Sequence, residues 1–152
     1  MGNRRKQKQT RPWFVRHSLT IVAAALLLLW VAGYLALDPK SHLAAFCGNA
    51  IADWSGSLVI IVGTKYLYEV GSSESKPVRG RKPNPWIEFL REHSLLIFLA
   101  VTGIGWLFLY RHLNPGDKWG QVVGNIVSEW LQMAGLVFLT KRLIERGSKE
   151  SR

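Results

Sequence analysis

Two long stretches of this chain carry no charged residue, and they constrain the fold more than any other feature. Residues 18–37 form an uncharged run of 20 residues, and residues 94–110 form a second run of 17. An α-helix rises about 1.5 Å per residue, so about 20 apolar residues cross the roughly 30 Å hydrocarbon core of a bilayer. A soluble domain of 152 residues could hardly bury such segments. We therefore expect both to be transmembrane helices, the second extended to Leu113.

Two further stretches are apolar except for a few polar side chains. Residues 44–64 and 119–140 are 21 and 22 residues long, and all six prolines of the chain lie outside the four stretches. Because proline ends or starts a helix, its positions mark the boundaries between spans. The sequence thus predicts an all-α membrane protein with four transmembrane helices over residues 18–37, 44–66, 94–113 and 119–142.

The chain also matches itself at an offset of 76 residues. Without gaps, 20 of the 63 positions from Phe14 to Lys76 are identical to their partners, among them His17 with His93 and Trp54 with Trp130. Asp53 falls on Glu129, so both halves place a carboxyl group there. We interpret this as a tandem duplication of a helical hairpin. Because each copy has two spans, both enter from the same side and should be related by a pseudo-two-fold axis along the membrane normal.

The charge distribution sets the domain organisation and the orientation. It predicts a basic arm (1–17), a first repeat (18–70), a flexible linker (71–89), a second repeat (90–146) and a tail (147–152). Arm, linker region and tail hold 17 Lys and Arg residues against three in the other two loops. The positive-inside rule then places both termini in the cytoplasm. The basic segments, on a chain of net charge +10, should contact anionic lipid headgroups and not nucleic acid.

The candidate polar centre lies in the second helix of each repeat. Polar residues of the fourth span fall on an arc about 100° wide, which we expect to face the bundle interior. Asp53 and Glu129 should lie near the middle of the membrane, where an acidic residue marks a candidate functional site. If close together, the pair should hold at least one proton near neutral pH. The members of this centre are Asn49, Asp53, Asn125, Ser128, Glu129 and Gln132, with Gln121 on the same arc.

A row of small residues runs beside the polar arc. Small side chains four residues apart let helices approach closely, so the row should bring the second and fourth spans together. Tyr34 and Tyr110 should belong to the outer aromatic belt. The helix-packing residues are Ala44, Gly48, Ala52, Gly56, Gly120 and Gly124.

Three classes of function remain open from the residues alone. A structural or accessory membrane protein is the main interpretation, with the polar groups acting as bonds between helices. The alternative is a proton or cation channel or transporter that uses Asp53 and Glu129. An enzyme is not expected, because the sequence has no nucleophile–base pair, zinc-spaced histidines or phosphate-binding glycine loop. We expect no metal or cofactor, and a homo-oligomer remains open.

Two segments resemble a known family. The motif Ser128–Glu129–Trp130 with the ending 143–152, and the run from Arg91 to Leu95, are similar to an uncharacterised bacterial family of small multi-pass membrane proteins, a domain of unknown function. The resemblance covers mainly the second repeat. It implies a location in the bacterial inner membrane and no established activity, and it supplies no catalytic residues.

Overall fold

The computed structural model describes residues 12–75, 80, 84–114 and 116–143, and within these ranges it is all-helical. Most of the predicted basic arm, residues 76–79 and 81–83 of the predicted linker, Pro115 and the tail from residue 144 lie outside the described residues. So does the chain ending that carries much of the family resemblance.

Six helices are present in the described part of the chain. Four of them, with 19, 22, 19 and 22 residues, are long and apolar enough to cross a membrane, as the sequence predicts. Helix α3 begins two residues earlier than predicted and ends three residues earlier. The elements are α1 (Trp13–Arg16), α2 (Ser18–Ala36), α3 (His42–Gly63), α4 (Pro85–Glu92), α5 (Ser94–His112) and α6 (Lys118–Leu139).

Side-chain caps explain several helix boundaries. The Ser41 hydroxyl accepts a hydrogen bond from the Ala44 amide at 3.1 Å, so α3 starts at His42. The Asn84 side chain accepts from the Trp86 amide at 2.9 Å, and Pro85 occupies the first helical position, where it is well tolerated. Helix α4 therefore begins inside residues 71–89, which the sequence predicts to be a flexible linker.

The four long helices are arranged in the order α2, α3, α6, α5. Helices α3 and α6 pack against each other at the centre, α2 packs against α3, and α5 packs against α6. Ala44, Ala52 and Val122 are almost fully buried in the resulting core, as are Leu95 and Leu99. The α3–α6 contact therefore joins one hairpin to the other.

A second link between the hairpins lies where α2 ends and α6 begins. The Tyr34 hydroxyl donates to the Lys118 carbonyl, and the Lys118 ammonium donates to the Tyr34 carbonyl. This ammonium also lies 4.5 Å from the centre of the Tyr34 ring, within range of a cation–π interaction. Tyr34 is only 3% exposed. Although it lies near the end of α2, its ring packs inside the bundle and does not face outwards.

Candidate functional site

The two candidate carboxyl groups, of Asp53 and Glu129, lie at matched positions in α3 and α6. Asp53 is eleven residues after His42, and Glu129 is eleven residues after Lys118, where the two 22-residue helices begin. At the helical rise, each lies about 16 Å along a helix of about 33 Å. Both carboxyl groups are therefore halfway along their helices.

The Glu129 side chain reaches α3 close to Asp53. A Cβ atom at Gly56, three residues after Asp53, would lie 3.5 Å from Glu129 Oε2, an ordinary van der Waals distance. Ionised carboxylates only accept hydrogen bonds, so a bond between two carboxyl groups requires one of them to carry a proton. Asp53 and Glu129 lie on facing helices, and a hydrogen bond between them would therefore need one of the two groups to be protonated.

An amide pair lies one helical turn from the acids. The Asn125 amide Nδ2 donates to Asn49 Oδ1 at 2.5 Å. Each asparagine precedes its carboxyl residue by four positions, so amide and acid lie on the same helix face. The amide hydrogen bond and the two acidic residues thus lie one helical turn apart between α3 and α6.

The polar residues are not turned into the bundle as the sequence suggests. Asn49, Asp53 and Ser128 are exposed on the surface of the single chain, whereas Asn125 and Glu129 are half-buried. Within the described ranges, the side chains of Gln121, Ser128 and Gln132 form no hydrogen bond. We call the set the polar stripe: Asn49, Asp53 and Ser57 on α3 with Gln121, Asn125, Ser128, Glu129 and Gln132 on α6.

The small-residue row explains why the polar stripe stays outside. On α3 the whole row from Ala44 to Gly56 is buried. The matching row on α6 is not, because Gly120 is buried and Gly124 half-buried, while Ser128 and Gln132 are exposed. Helix α6 instead buries larger side chains, among them Val122, Val123, Ile126 and Trp130.

Gly48 and Gly124 also leave space for a tyrosine ring from the other helix of the same hairpin. A Cβ at Gly48 would lie 3.2 Å from the Tyr34 ring and 3.4 Å from Val122. A Cβ at Gly124 would lie 3.0 Å from the Tyr110 ring. The glycines therefore serve packing within each hairpin as well as between α3 and α6.

A second polar cluster, which the sequence interpretation missed, surrounds Glu69. This side chain is fully buried, and its Oε1 lies 2.5 Å from the Lys141 ammonium and 2.7 Å from His93 Nδ1. Its Oε2 accepts from the Leu96 amide at 3.2 Å. The carboxylate thus connects the chain after α3 with the start of α5 and the end of α6. We call Glu69, His93 and Lys141 the ionic clasp.

The chain around Glu69 caps the start of α5. The Tyr68 carbonyl accepts from the Leu95 amide at 3.0 Å, and the Val70 amide donates to the Glu92 carbonyl at 2.7 Å. The first amides of a helix have no partner within it, and a carboxylate there is favoured by the helix dipole. Residues 68–70 therefore satisfy backbone groups that the end of α4 and the start of α5 would otherwise leave open.

The sequence did contain a signal for the ionic clasp. His93 and Lys141 match His17 and Lys65 at the offset of 76, and Glu69 matches Glu145. Each member of the clasp is thus an ionisable residue that is identical in both halves of the chain. The signal was not decisive because the three residues come from separate segments, and only the fold brings them together.

Other potential chemistry is limited in the described part of the chain. No group of three or more His, Cys, Asp or Glu side chains there could hold a metal ion. Cys47 is a free thiol and is buried in the core. A groove between α5 and α6 is lined by apolar residues such as Leu99, Ile104 and Leu131.

The fold and the site together define a helical protein with four helices of membrane-spanning character and a polar stripe along the exposed side of α3 and α6. Residues 99–152 match the model of a family described as a domain of unknown function (DUF6766). The match covers about a third of the chain, comprising most of α5, all of α6 and the tail. No curated protein and no solved structure matches the chain.

Proposed function

We propose that this chain provides a pathway for protons or small cations across a membrane, along the polar stripe. The observation that carries the proposal is the placement of Asp53 and Glu129 at matched positions on two helices that pack together, halfway along segments of membrane-spanning length. Acidic residues at this depth are costly in lipid and usually mark ion or proton pathways.

The polar stripe offers the groups that such a pathway needs. A carboxyl pair that shares one proton can accept a proton from one side and release it to the other. Beyond the pair, the stripe continues with Asn49 and Gln121 towards one end and with Ser57 and Gln132 towards the other. Amide and hydroxyl groups both donate and accept hydrogen bonds, so they can relay a proton or coordinate a small cation.

A structural or accessory role is the second candidate, and the Asn49–Asn125 hydrogen bond favours it. Polar bonds between membrane helices contribute about 0.6 kcal/mol each on average. A hydrogen bond between Asp53 and Glu129 would act in the same way if its proton never moved. On this alternative the stripe holds the two hairpins together and carries nothing.

We further propose that the protein lies in a bacterial cytoplasmic membrane with both termini in the cytoplasm. The support is the split of 17 to 3 Lys and Arg residues between the two sides. Anionic lipid headgroups are then its partners at the cytoplasmic face. We assign the chain no catalytic role, no cofactor and no nucleic-acid partner.

The two hairpins are proposed to be duplicated copies related by a pseudo-two-fold axis. In support, α2 and α5 begin and end 76 residues apart, as do α3 and α6. The Asn49–Asn125 bond likewise joins residues 76 apart. The unequal burial of Ala52 and Ser128, which match each other at this offset, marks where the copies have diverged.

Flux measurement tests the proposed pathway. Purified protein in liposomes should dissipate an imposed proton or potassium gradient, and Asp53→Asn with Glu129→Gln should reduce the rate at least tenfold. Glu92→Gln, which lies outside the four long helices, serves as a charge-matched control and should leave the rate unchanged. Equal flux in the wild type and the double variant would sink the pathway and leave the structural role.

A further inference from the structure

The polar stripe presents a physical problem in a bilayer. Gln121, Ser128 and Gln132 are exposed on the chain surface, and their side chains form no hydrogen bond within the described ranges. Acyl chains offer no hydrogen-bonding partner, and a polar group without one costs several kcal/mol in hydrocarbon. Asn49 and Asp53 are exposed on the neighbouring helix. The stripe is therefore an incomplete surface that something must cover.

We propose that a second copy of this chain covers the polar stripe, so that the stripes of two copies face each other in a symmetric dimer. A two-fold contact brings the same patch of both subunits together, so the patch must be complementary to itself. Carboxamide and hydroxyl groups meet this condition because each can donate and accept a hydrogen bond. Asn49, Gln121, Ser128 and Gln132 supply four such groups.

The shape of the exposed patch favours the same partner. Ser128 and Gln132 lie four residues apart on α6, and Asn49 and Asp53 are spaced likewise on α3, so the exposed polar groups form rows along the helices. Two helical surfaces with such rows can align along their length. In contrast, the outer faces of α2 and α5 expose apolar side chains such as Leu29, Val101 and Phe108, which suit lipid. The dimer thus buries the surface that lipid solvates poorly.

This inference goes beyond the proposed pathway, because the contact forms whether or not a proton or cation moves along it. If the pathway operates, the partner copy also separates the Asp53–Glu129 pair from lipid. The site is then complete only when two stripes enclose it.

Counting subunits in liposomes tests the dimer. In the full-length chain with Cys47→Ala and Tyr66→Cys, each copy carries one dye at an exposed position. At low protein density, most particles should bleach in two steps, one for each copy of the dimer. Ser128→Leu with Gln132→Leu should shift most particles to one step, raising the dissociation constant at least tenfold. These side chains have no hydrogen bond within the described chain, so their loss should leave the single-chain fold intact.

The matched control places the same pair of leucines on the outer face of α5. Val101 is exposed, and a Cβ at Gly105 meets no atom within 4 Å. Val101→Leu with Gly105→Leu should therefore keep the two-step pattern. Helical circular dichroism shows whether each variant is folded. One-step bleaching of the wild type, or two-step bleaching of a folded Ser128→Leu/Gln132→Leu variant, overturns the dimer.

Flux and subunit number separate the two proposals. Carboxyl-dependent flux from a protein that bleaches in one step contradicts the dimer and supports the pathway. Two-step bleaching without flux supports the dimer and contradicts the pathway.

Discussion

A carboxylate can be buried without great cost only when its charge and lone pairs are all satisfied. Glu69 meets this requirement, because Oε1 faces a lysine ammonium and an imidazole while Oε2 accepts a backbone amide. Its two ionisable partners keep some contact with the surroundings, with side chains 19% and 24% exposed. At the scale of single residues, the ionic clasp is therefore the polar contact that should contribute most clearly to stability.

Removing the charge of Glu69 should destabilise the protein. Glu69→Gln keeps the shape and one acceptor, but it leaves the Lys141 ammonium without its counter-charge. We expect the free energy of unfolding to fall by about 1–3 kcal/mol, the usual cost of an unpaired buried group. Denaturation in mild detergent, followed by circular dichroism, measures the change.

Glu92→Gln is the control for this experiment, because it alters the same charge close to the clasp, and Glu92 makes no side-chain bond within the described ranges. A double-mutant cycle of Glu69→Gln with Lys141→Met should give a coupling of about 0.5–3 kcal/mol. Additive effects would show that the ion pair contributes nothing to stability.

At the scale of helices, close packing between α2 and α3 depends on the missing side chain at Gly48. The Tyr34 ring is held by its bond to the Lys118 carbonyl and by its contact with the Trp119 ring at 5.5 Å. A methyl group at position 48 would press on this ring, which cannot move away freely. At position 48, alanine would favour the helix by its propensity, but its methyl group would crowd the Tyr34 ring.

Gly48→Ala should destabilise the protein by about 1–3 kcal/mol through overpacking. Gly135 on α6 is the comparison, since a Cβ there meets no atom within 4 Å. Gly135→Ala should stabilise the helix by up to about 1 kcal/mol, because alanine is the better helix former. Thermal unfolding in the same detergent compares both variants, and equal shifts for the two would contradict the packing argument.

The helices were predictable from the sequence, but the direction of their polar faces was not. Uncharged runs and proline positions place the spans, and helical caps such as Ser41 shift the ends by only a few residues. Periodicity identifies residues that share a face, such as Asn125 and Ser128. It does not reveal which neighbour a face meets, and here α3 packs through its small-residue row while α6 packs through larger aliphatic side chains. The ionic clasp escaped prediction because contacts between distant segments leave no local pattern.

At the scale of the whole molecule, the charge asymmetry predicts the orientation of the chain in the membrane. Single cysteines replacing Lys40 and Asp117, in a Cys47→Ala background, should react from outside with a reagent that cannot cross the bilayer. A cysteine replacing Tyr66, which is 80% exposed, should react only after the membrane is opened. Reaction at position 66 from outside would refute the topology.

The cap that residues 68–70 place on α5 has a consequence for biosynthesis. A ribosome releases the chain from its N-terminus, so Tyr68 and Glu69 have already emerged when the first amides of α5 need partners. Lys141 follows α6 and is synthesised after Glu69 and His93, so its ion pair with Glu69 can close only once the four long helices of the described chain have been made. A chain truncated before Lys141 would leave the Glu69 carboxylate with His93 as its remaining ionisable partner.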